Sequence, residues 1–182
     1  PLPKFLQLAR QICLGLQCAH EGIPNEEGVI CPIIHRDIKP SNILVVQDAS
    51  LGQLVKVLDF GIAKLRQTDS EQTNYYLGTL AYSSPEQMEG KELDSRSDIY
   101  SLGVMLFEML TGKMPLQAET HSFGGWYKVH HFQQPRSFES VRPQLKLPKA
   151  LENLVMSCLA KKPEERPQTV GDILKALEPL DQ

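Results

Sequence analysis

The sequence has 182 residues, of which 41% are hydrophobic and 23% are charged, so one globular domain with a substantial core is expected. Its formal net charge is -3, which excludes a basic field for nonspecific binding of nucleic acid or of an anionic membrane. The longest uncharged apolar run, Ile99 to Phe107, is too short to span a bilayer. The chain starts at Pro1 without a signal-peptide pattern, so we expect a processed or excised piece.

The four cysteines show no paired short spacing of the kind that binds zinc. Cys13 and Cys158 fall on the apolar stripes of predicted helices, where a thiol behaves as a small hydrophobic group. This use of cysteine is typical of reduced core thiols and predicts a cytoplasmic protein.

The first half of the chain predicts one helix, two loops and a hairpin. Apolar residues recur at helical spacing from Phe5 to Ala19, which predicts an amphipathic helix. The stretch from Ile23 to Pro32 contains prolines, glycine and acidic residues and is interpreted as a surface loop. The β-rich runs Ile43–Val46 and Leu54–Leu58 predict a small hairpin, and the polar residues 66–74 predict a mobile loop.

The second half is predicted to be helical, over Arg96–Thr111, Pro148–Leu159 and Thr169–Leu177, with a short helix near Trp126. The first of these helices is apolar on most of its surface and ends before Gly112, which predicts a buried, central position. The sequence therefore predicts one mainly α unit with one or two small β-hairpins.

Three motifs carry the information on function. The run from Ile34 to Leu44 reads I-H-R-D-I-K-P-S-N-I-L, and it is followed by Asp59-Phe60-Gly61 and by Ser84-Pro85-Glu86. These motifs resemble the H-R-D catalytic loop, the D-F-G magnesium motif and a serine variant of the A-P-E motif of protein kinases. A single tripeptide is weak support, but the order and spacing of all three match that family.

The resemblance covers essentially the whole chain. Arg96–Gly103 resembles the start of the family's central helix. The amino-acid sequence of residues 81–87 is most similar to that of bacterial members of the eukaryotic-like serine/threonine kinases. The implied fold is a protein-kinase-like C-terminal lobe over residues 1–182, because the glycine-rich loop and the strand lysine of the N-terminal lobe are absent. The loop at 23–32 resembles an insertion.

The resemblance implies the catalytic and nucleotide-binding residues. Asp37 would accept or orient the proton of the substrate hydroxyl, and Lys39 would contact the transferring phosphoryl group. Asn42 and Asp59 would bind Mg2+, with Mn2+ as the alternative ion, and Leu44 would pack beneath the adenine of ATP. His35 and Phe60, which also lie in the motifs, are interpreted as packing residues.

It also implies a regulatory contact. Arg36, next to the catalytic Asp, marks the kinase type in which a phosphorylated loop residue pairs with that arginine. Thr68, Ser70 and Thr73 lie in the polar stretch that would carry the phosphate, and Thr73 is favoured.

Three further residues would hold the site in place. Thr79 would hydrogen-bond near Lys39, and Glu86 with Arg166 would form a buried ion pair that anchors the preceding segment.

The function implied is transfer of the ATP γ-phosphate to serine or threonine hydroxyls of protein substrates, by an N-terminal lobe acting together with this chain. Lys39-Pro40 and Gly78-Thr79 resemble the serine/threonine class rather than the tyrosine class. The alternative is a kinase-like interaction scaffold without catalysis. Alone, the chain is expected to be inefficient in catalysis and prone to self-association.

Overall fold

In the computed structural model the described residues are 2–50, 52–60 and 79–181. The chain opens with the long helix α1, Leu2–Glu21. Its inward face is an apolar stripe at helical spacing, made of Phe5, Leu6, Ala9, Ile12, Cys13, Leu16 and Ala19. The predicted helix is confirmed and extends further at both ends.

The segment after α1 contains a small hairpin rather than loop alone. Strands β1, Ile23–Pro24, and β2, Ile30–Cys31, pair antiparallel, with Ile23 opposite Cys31. Gly22 precedes this hairpin at a φ of 101°, and a side chain there would collide with the Ile30 side chain and the main chain of Cys31. Strands of two residues are too short to produce a hydrophobic period, which is why the sequence predicted only a loop.

A second antiparallel hairpin follows. A single 3-10 turn, Pro40–Asn42, leads into β3, Ile43–Asp48, which pairs with β4, Gly52–Val57. Ile43 lies opposite Val57, so the residues just before β3 and just after β4 come together at one end of the hairpin. This hairpin was predicted, with slightly different ends.

The remaining helices are α2 (Pro85–Met88), α3 (Ser95–Thr111), α4 (Phe123–Phe132), α5 (Phe138–Val141), α6 (Lys149–Cys158) and α7 (Val170–Leu177). Two 3-10 turns, Pro163–Glu165 and Glu178–Asp181, precede and follow α7. Within the described ranges, no helix has the combination of length and apolarity needed to cross a membrane.

Helix α3 is the centre of the main hydrophobic core, as its composition predicted. The Asp94 side chain caps its first turn by accepting from the amide of Arg96, and Gly112 ends it at a φ of 72°. At Gly103 the helix lies so close to α6 that a β-carbon there would be 2.6 Å from Cys158 Cβ. The core therefore fixes the position of α3, which carries Asp98 in its first turn.

Candidate functional site

The Asp98 carboxylate anchors the loop that contains His35, Arg36 and Asp37. It accepts hydrogen bonds from the backbone amides of His35 at 2.7 Å and Arg36 at 2.8 Å. Its Oδ2 also lies 2.8 Å from Nε2 of His20 at the end of α1. Since Asp98 is buried in the first turn of α3, one carboxylate joins α1, the loop and the central helix.

The loop has an unusual backbone conformation. Among the described residues, the two non-glycine residues with positive φ are Arg36 at 67° and Asp59 at 53°, and both belong to the motifs identified above. Such conformations are strained and persist where surrounding contacts enforce them. At Arg36 those contacts are the Asp98 carboxylate on its amide and the Gln87 side chain, which donates to its carbonyl at 2.8 Å.

Four of the predicted residues, Asp37, Lys39, Asn42 and Thr79, form one connected cluster of side chains. Asn42 Nδ2 donates to the Asp37 carbonyl at 2.7 Å and to its Oδ2 at 3.2 Å. Lys39 Nζ lies 3.3 Å from the same Oδ2 and donates to Thr79 Oγ1 at 2.9 Å. All four side chains are buried, so a carboxylate and an ammonium group are held together at a fixed position with little solvent around them.

The chain around Asp59 is fixed by backbone hydrogen bonds of the preceding residue. The Leu58 amide donates to the Asn42 carbonyl at 2.8 Å, and the Leu58 carbonyl accepts from His35 Nε2 at 2.8 Å. A carbonyl only accepts, so His35 carries its proton on Nε2 and its Nδ1 accepts from the Asp37 amide. Asp59, which is exposed, therefore follows a residue whose backbone is bonded to Asn42.

The rings of His35 and Phe60 pack against each other with centroids 4.6 Å apart. His35 is buried completely. Both residues thus support the backbone of the two motifs, as the sequence predicted.

Glu86 and Arg166 form the expected buried ion pair. The guanidinium binds the carboxylate through two hydrogen bonds, of 2.6 and 2.9 Å, and Ser97 Oγ donates to the same carboxylate at 2.7 Å. Burial raises the pKa of Glu86, but the hydrogen bonds and charge of Arg166 outweigh it, so the net pKa lies below the ordinary range. Nearby, Ser84 caps α2 by accepting from the Gln87 amide at 3.3 Å, which gives the serine of the S-P-E variant a structural role.

The other predicted residues lie around this cluster or outside the described ranges. Leu44 is on β3, two residues after Asn42, with 44% of its surface exposed. Arg36 is half-buried. Thr73, with Thr68 and Ser70, lies outside the described residues, as does Gly61.

Sequence reasoning missed the two side chains that shape the loop, Asp98 and Gln87. An acidic residue in the first turn of a helix is ordinarily explained by the helix dipole, so Asp98 raised no question. The available signal was that Asp98 is a charged residue in a helix whose residues from Ser97 to Phe107 are all buried. Gln87 follows the S-P-E motif and carried no signal of its own.

Comparison with known proteins identifies the class to which this site belongs. The family model described as the protein kinase domain matches residues 4–177. The chain therefore belongs to the protein kinase family.

Bacterial kinases are among the curated proteins that are similar to this chain. "Serine/threonine-protein kinase A" of Synechocystis sp. is 60% identical over 179 residues, which are 98% of this chain and 34% of that protein. "Serine/threonine-protein kinase Pkn1" of Myxococcus xanthus is 38% identical over 92% of this chain and 23% of its own length. "Tyrosine-protein kinase MasK" of Myxococcus xanthus is 39% identical over 98% of this chain and 26% of its own length. The chain thus spans about a third of the first relative and about a quarter of the others.

The family match corrects the predicted fold class. The sequence predicted a C-terminal lobe alone, but the matched model is that of the protein kinase domain and covers nearly all of the chain. The fold is therefore a protein kinase fold, with seven α-helices and two two-stranded sheets in the described residues. The prediction was wrong because it took the limits of the fold from motifs, and motifs fix a site rather than the extent of a fold.

Proposed function

We propose that this chain transfers the γ-phosphate of ATP to hydroxyl groups of serine or threonine in protein substrates. The observation that carries the proposal is the cluster of Asp37, Lys39 and Asn42, in which the ammonium group of Lys39 and the amide nitrogen of Asn42 lie 3.3 and 3.2 Å from the same Asp37 carboxylate oxygen. Phosphoryl transfer needs positioning and charge neutralisation more than covalent chemistry, and this cluster supplies both.

Asp37 is the group that receives the substrate hydroxyl. Its carboxylate is oriented by Asn42 and faces Lys39, so it is held ready to accept a hydrogen bond from an alcohol and to take its proton during transfer. Lys39 then neutralises negative charge on the transferring phosphoryl group. Thr79 holds the Lys39 ammonium in place, because its hydroxyl oxygen accepts a hydrogen bond from one of the three N–H groups.

The residues present fit a magnesium ion with a nucleotide. The amide nitrogen of Asn42 is engaged by Asp37, which leaves its oxygen as the ligand atom, and Asp59, one residue after the backbone contact between Leu58 and Asn42, adds an exposed carboxylate. Mg2+ prefers such oxygen ligands and completes its shell with water and phosphate. When bound, the ion supplies positive charge at the β- and γ-phosphates. Leu44, exposed on β3, offers an apolar floor for adenine.

The contact between Lys39 and Thr79 supports serine or threonine as the phosphate acceptor. These two residues belong to Lys39-Pro40 and Gly78-Thr79, which resemble the serine/threonine class of kinases. Two of the relatives above are named serine/threonine kinases, while MasK is named a tyrosine kinase. The acceptor is therefore tested with both hydroxyl types.

The glycine-rich loop and the strand lysine that would cover the phosphates of ATP are proposed to come from another part of a longer protein. The 182 residues contain no G-x-G-x-x-G run, and the relatives are about three or more times longer than the matched region. We expect the chain alone to transfer phosphate far more slowly than the full-length protein, because a misplacement of about 1 Å lowers the rate about a hundredfold.

The experiment compares Asp37→Asn and Asp59→Asn with the unmodified full-length protein, using substrates that present serine, threonine or tyrosine. Each variant is expected to lose at least about a hundredfold in phosphotransfer. Asp48→Asn is the matched control, since Asp48 lies at the far end of β3, where it accepts from the Ser50 amide. An Asp37→Asn or Asp59→Asn variant with near-normal activity would reject the proposal, and an inactive unmodified protein would favour the scaffold.

A further inference from the structure

The hairpin formed by β1 and β2, residues 23–31, exposes three aliphatic side chains that the fold does not use. Ile23, Val29 and Ile30 are 46%, 54% and 56% exposed. None of them belongs to either hydrophobic cluster of the described residues. Ile23 lies opposite Cys31 and Pro24 opposite Ile30, so Ile23, Val29 and the exposed Cys31 share one face of the hairpin and Ile30 is on the other. Single exposed apolar residues are ordinary, but Ile23, Val29 and Cys31 together form an apolar patch.

The hairpin is held in a defined shape. The Asn25 side chain accepts from the amides of Glu27 and Val29, both at 2.9 Å, and the Asn25 amide donates to the Val29 carbonyl at 2.9 Å. The Ile33 amide donates to the Ala19 carbonyl at 2.8 Å, which ties the end of the hairpin to α1. The apolar patch is therefore presented on a fixed support.

The charged residues of this hairpin and of the chain directly before it have one sign. The sequence contains no lysine or arginine between Arg10 and Arg36, whereas Glu21, Glu26 and Glu27 are exposed there. In the part of the chain that the structure describes, no ion pair involves Glu26 or Glu27. A surface that combines exposed aliphatic groups with uncompensated negative charge is complementary to a segment that is basic and partly apolar.

The edges of the hairpin exclude one mode of binding. Pro24 lies within β1 and Pro32 directly follows β2, and proline has no amide proton to donate to an added strand. Binding by strand addition is therefore disfavoured, and side chains must make the contact.

We propose that residues 23–31 form a docking surface for a protein partner through a segment that carries lysine or arginine next to leucine-like side chains. Ile23, Val29 and Cys31 bury the apolar groups of that segment, and Glu26 with Glu27 pair with its basic groups. Only three residues separate Cys31 from His35, so the partner lies next to the loop that Asp98 anchors. Docking is independent of phosphotransfer and is measured by binding alone.

The test titrates the full-length protein against a labelled synthetic peptide of alternating lysine and leucine, with fluorescence anisotropy as the readout. Two matched peptides replace leucine by serine or lysine by glutamate. We expect binding of the lysine–leucine peptide and at least tenfold weaker binding of both matched peptides, which is about 1.4 kcal/mol each.

Variants locate the binding to the hairpin. Glu26→Gln with Glu27→Gln, and separately Ile23→Ser with Val29→Ser, are expected to weaken binding at least about tenfold. The controls are Glu164→Gln with Glu165→Gln, another exposed pair of adjacent glutamates, and Phe132→Ser, which replaces an aromatic residue that is 75% exposed. Equal binding by hairpin and control variants overturns the proposal, as does absence of peptide binding up to about 1 mM.

A second copy of the chain is the competing occupant. Sedimentation of the unmodified protein and of the Ile23→Ser/Val29→Ser variant distinguishes the two. A monomer in both cases supports a separate partner, and a dimer that the variant abolishes overturns the proposal.

Discussion

The Arg166 guanidinium and the Glu86 carboxylate form a buried, two-pronged ion pair that joins parts of the chain 80 residues apart. The same guanidinium donates to three backbone carbonyls, those of Ala160, Arg96 and Lys161, at 2.8 to 2.9 Å. All five N–H groups of the arginine therefore have acceptors. It also lies over the Tyr100 ring, 4.9 Å from the centroid. The segment before α7 is thus tied to both α2 and α3.

Arg166→Met is expected to lower the free energy of unfolding by about 3 kcal/mol, because it leaves the Glu86 carboxylate buried without its partner. Urea unfolding measures the change. The control is Lys149→Met, which removes the exposed pair with Glu152 at 2.7 Å and should change stability by less than about 0.5 kcal/mol. A loss below about 1 kcal/mol in the Arg166 variant would show that the pair is not important for stability.

Asp98→Asn is expected to reduce kcat of the full-length protein by about ten- to a hundredfold, because an amide cannot accept from two loop amides and from His20 together. The protein should still unfold cooperatively. Steady-state kinetics and urea unfolding test both statements. Ser101→Ala, on the same helix, serves as the control, since the hydrogen bond that Ser101 Oγ makes among the described residues is to the Ser97 carbonyl within α3, at 3.4 Å. A normal kcat in the Asp98 variant would contradict the anchoring role.

Gly103→Ala is expected to destabilise the protein by about 1 to 3 kcal/mol. The added β-carbon would lie 2.6 Å from Cys158 Cβ, and both atoms are attached directly to packed helices that must move apart. Gly124→Ala is the matched change, since a β-carbon at Gly124 meets no atom within 4 Å. Thermal unfolding of the two variants should therefore differ clearly, and equal midpoints would refute the close contact of α3 and α6.

Stability should fall as the pH drops below about 6.5, because His130 resists protonation in the folded state. Burial lowers the pKa of His130 to about 3, with the Lys161 charge as a second cause. The unfolded chain binds this proton at a higher pH than the folded chain, so acid favours unfolding from about 6.5 down to about 3. Between pH 7 and pH 5 the contribution is about 2 kcal/mol. Urea unfolding of His130→Gln should show a shallower loss, and identical pH profiles would contradict the assignment.

Sequence patterns predicted the parts of the fold that depend on long periodic segments. Helices α1 and α3 bury many apolar residues at regular spacing. The helices and their buried faces therefore agree with the hydrophobic pattern of the sequence. Cys13 and Cys158 are buried thiols, as expected from their place on the helices. The hairpin of β1 and β2 was not predicted, because its side chains are exposed and leave no pattern.

The site was predicted through motif resemblance, and its geometry was not. Nothing in the local sequence indicates that Asp98 reaches the backbone of His35, 63 residues away. The positive φ of Arg36 and Asp59 was equally invisible, since neither residue is glycine and the contacts that hold them come from distant segments. Such long-range contacts are decided by tertiary packing, which a pattern of residue types does not encode.

The link between Leu58, His35 and Asn42 is made by main-chain atoms of Leu58 only. Any amino acid other than proline brings the same amide and carbonyl to that position. The backbone position of the neighbouring Asp59 therefore does not depend on which side chain occupies position 58. Homologous chains with different residues there would keep the same alignment of the two motifs, whereas proline would remove the donor to Asn42 and uncouple them.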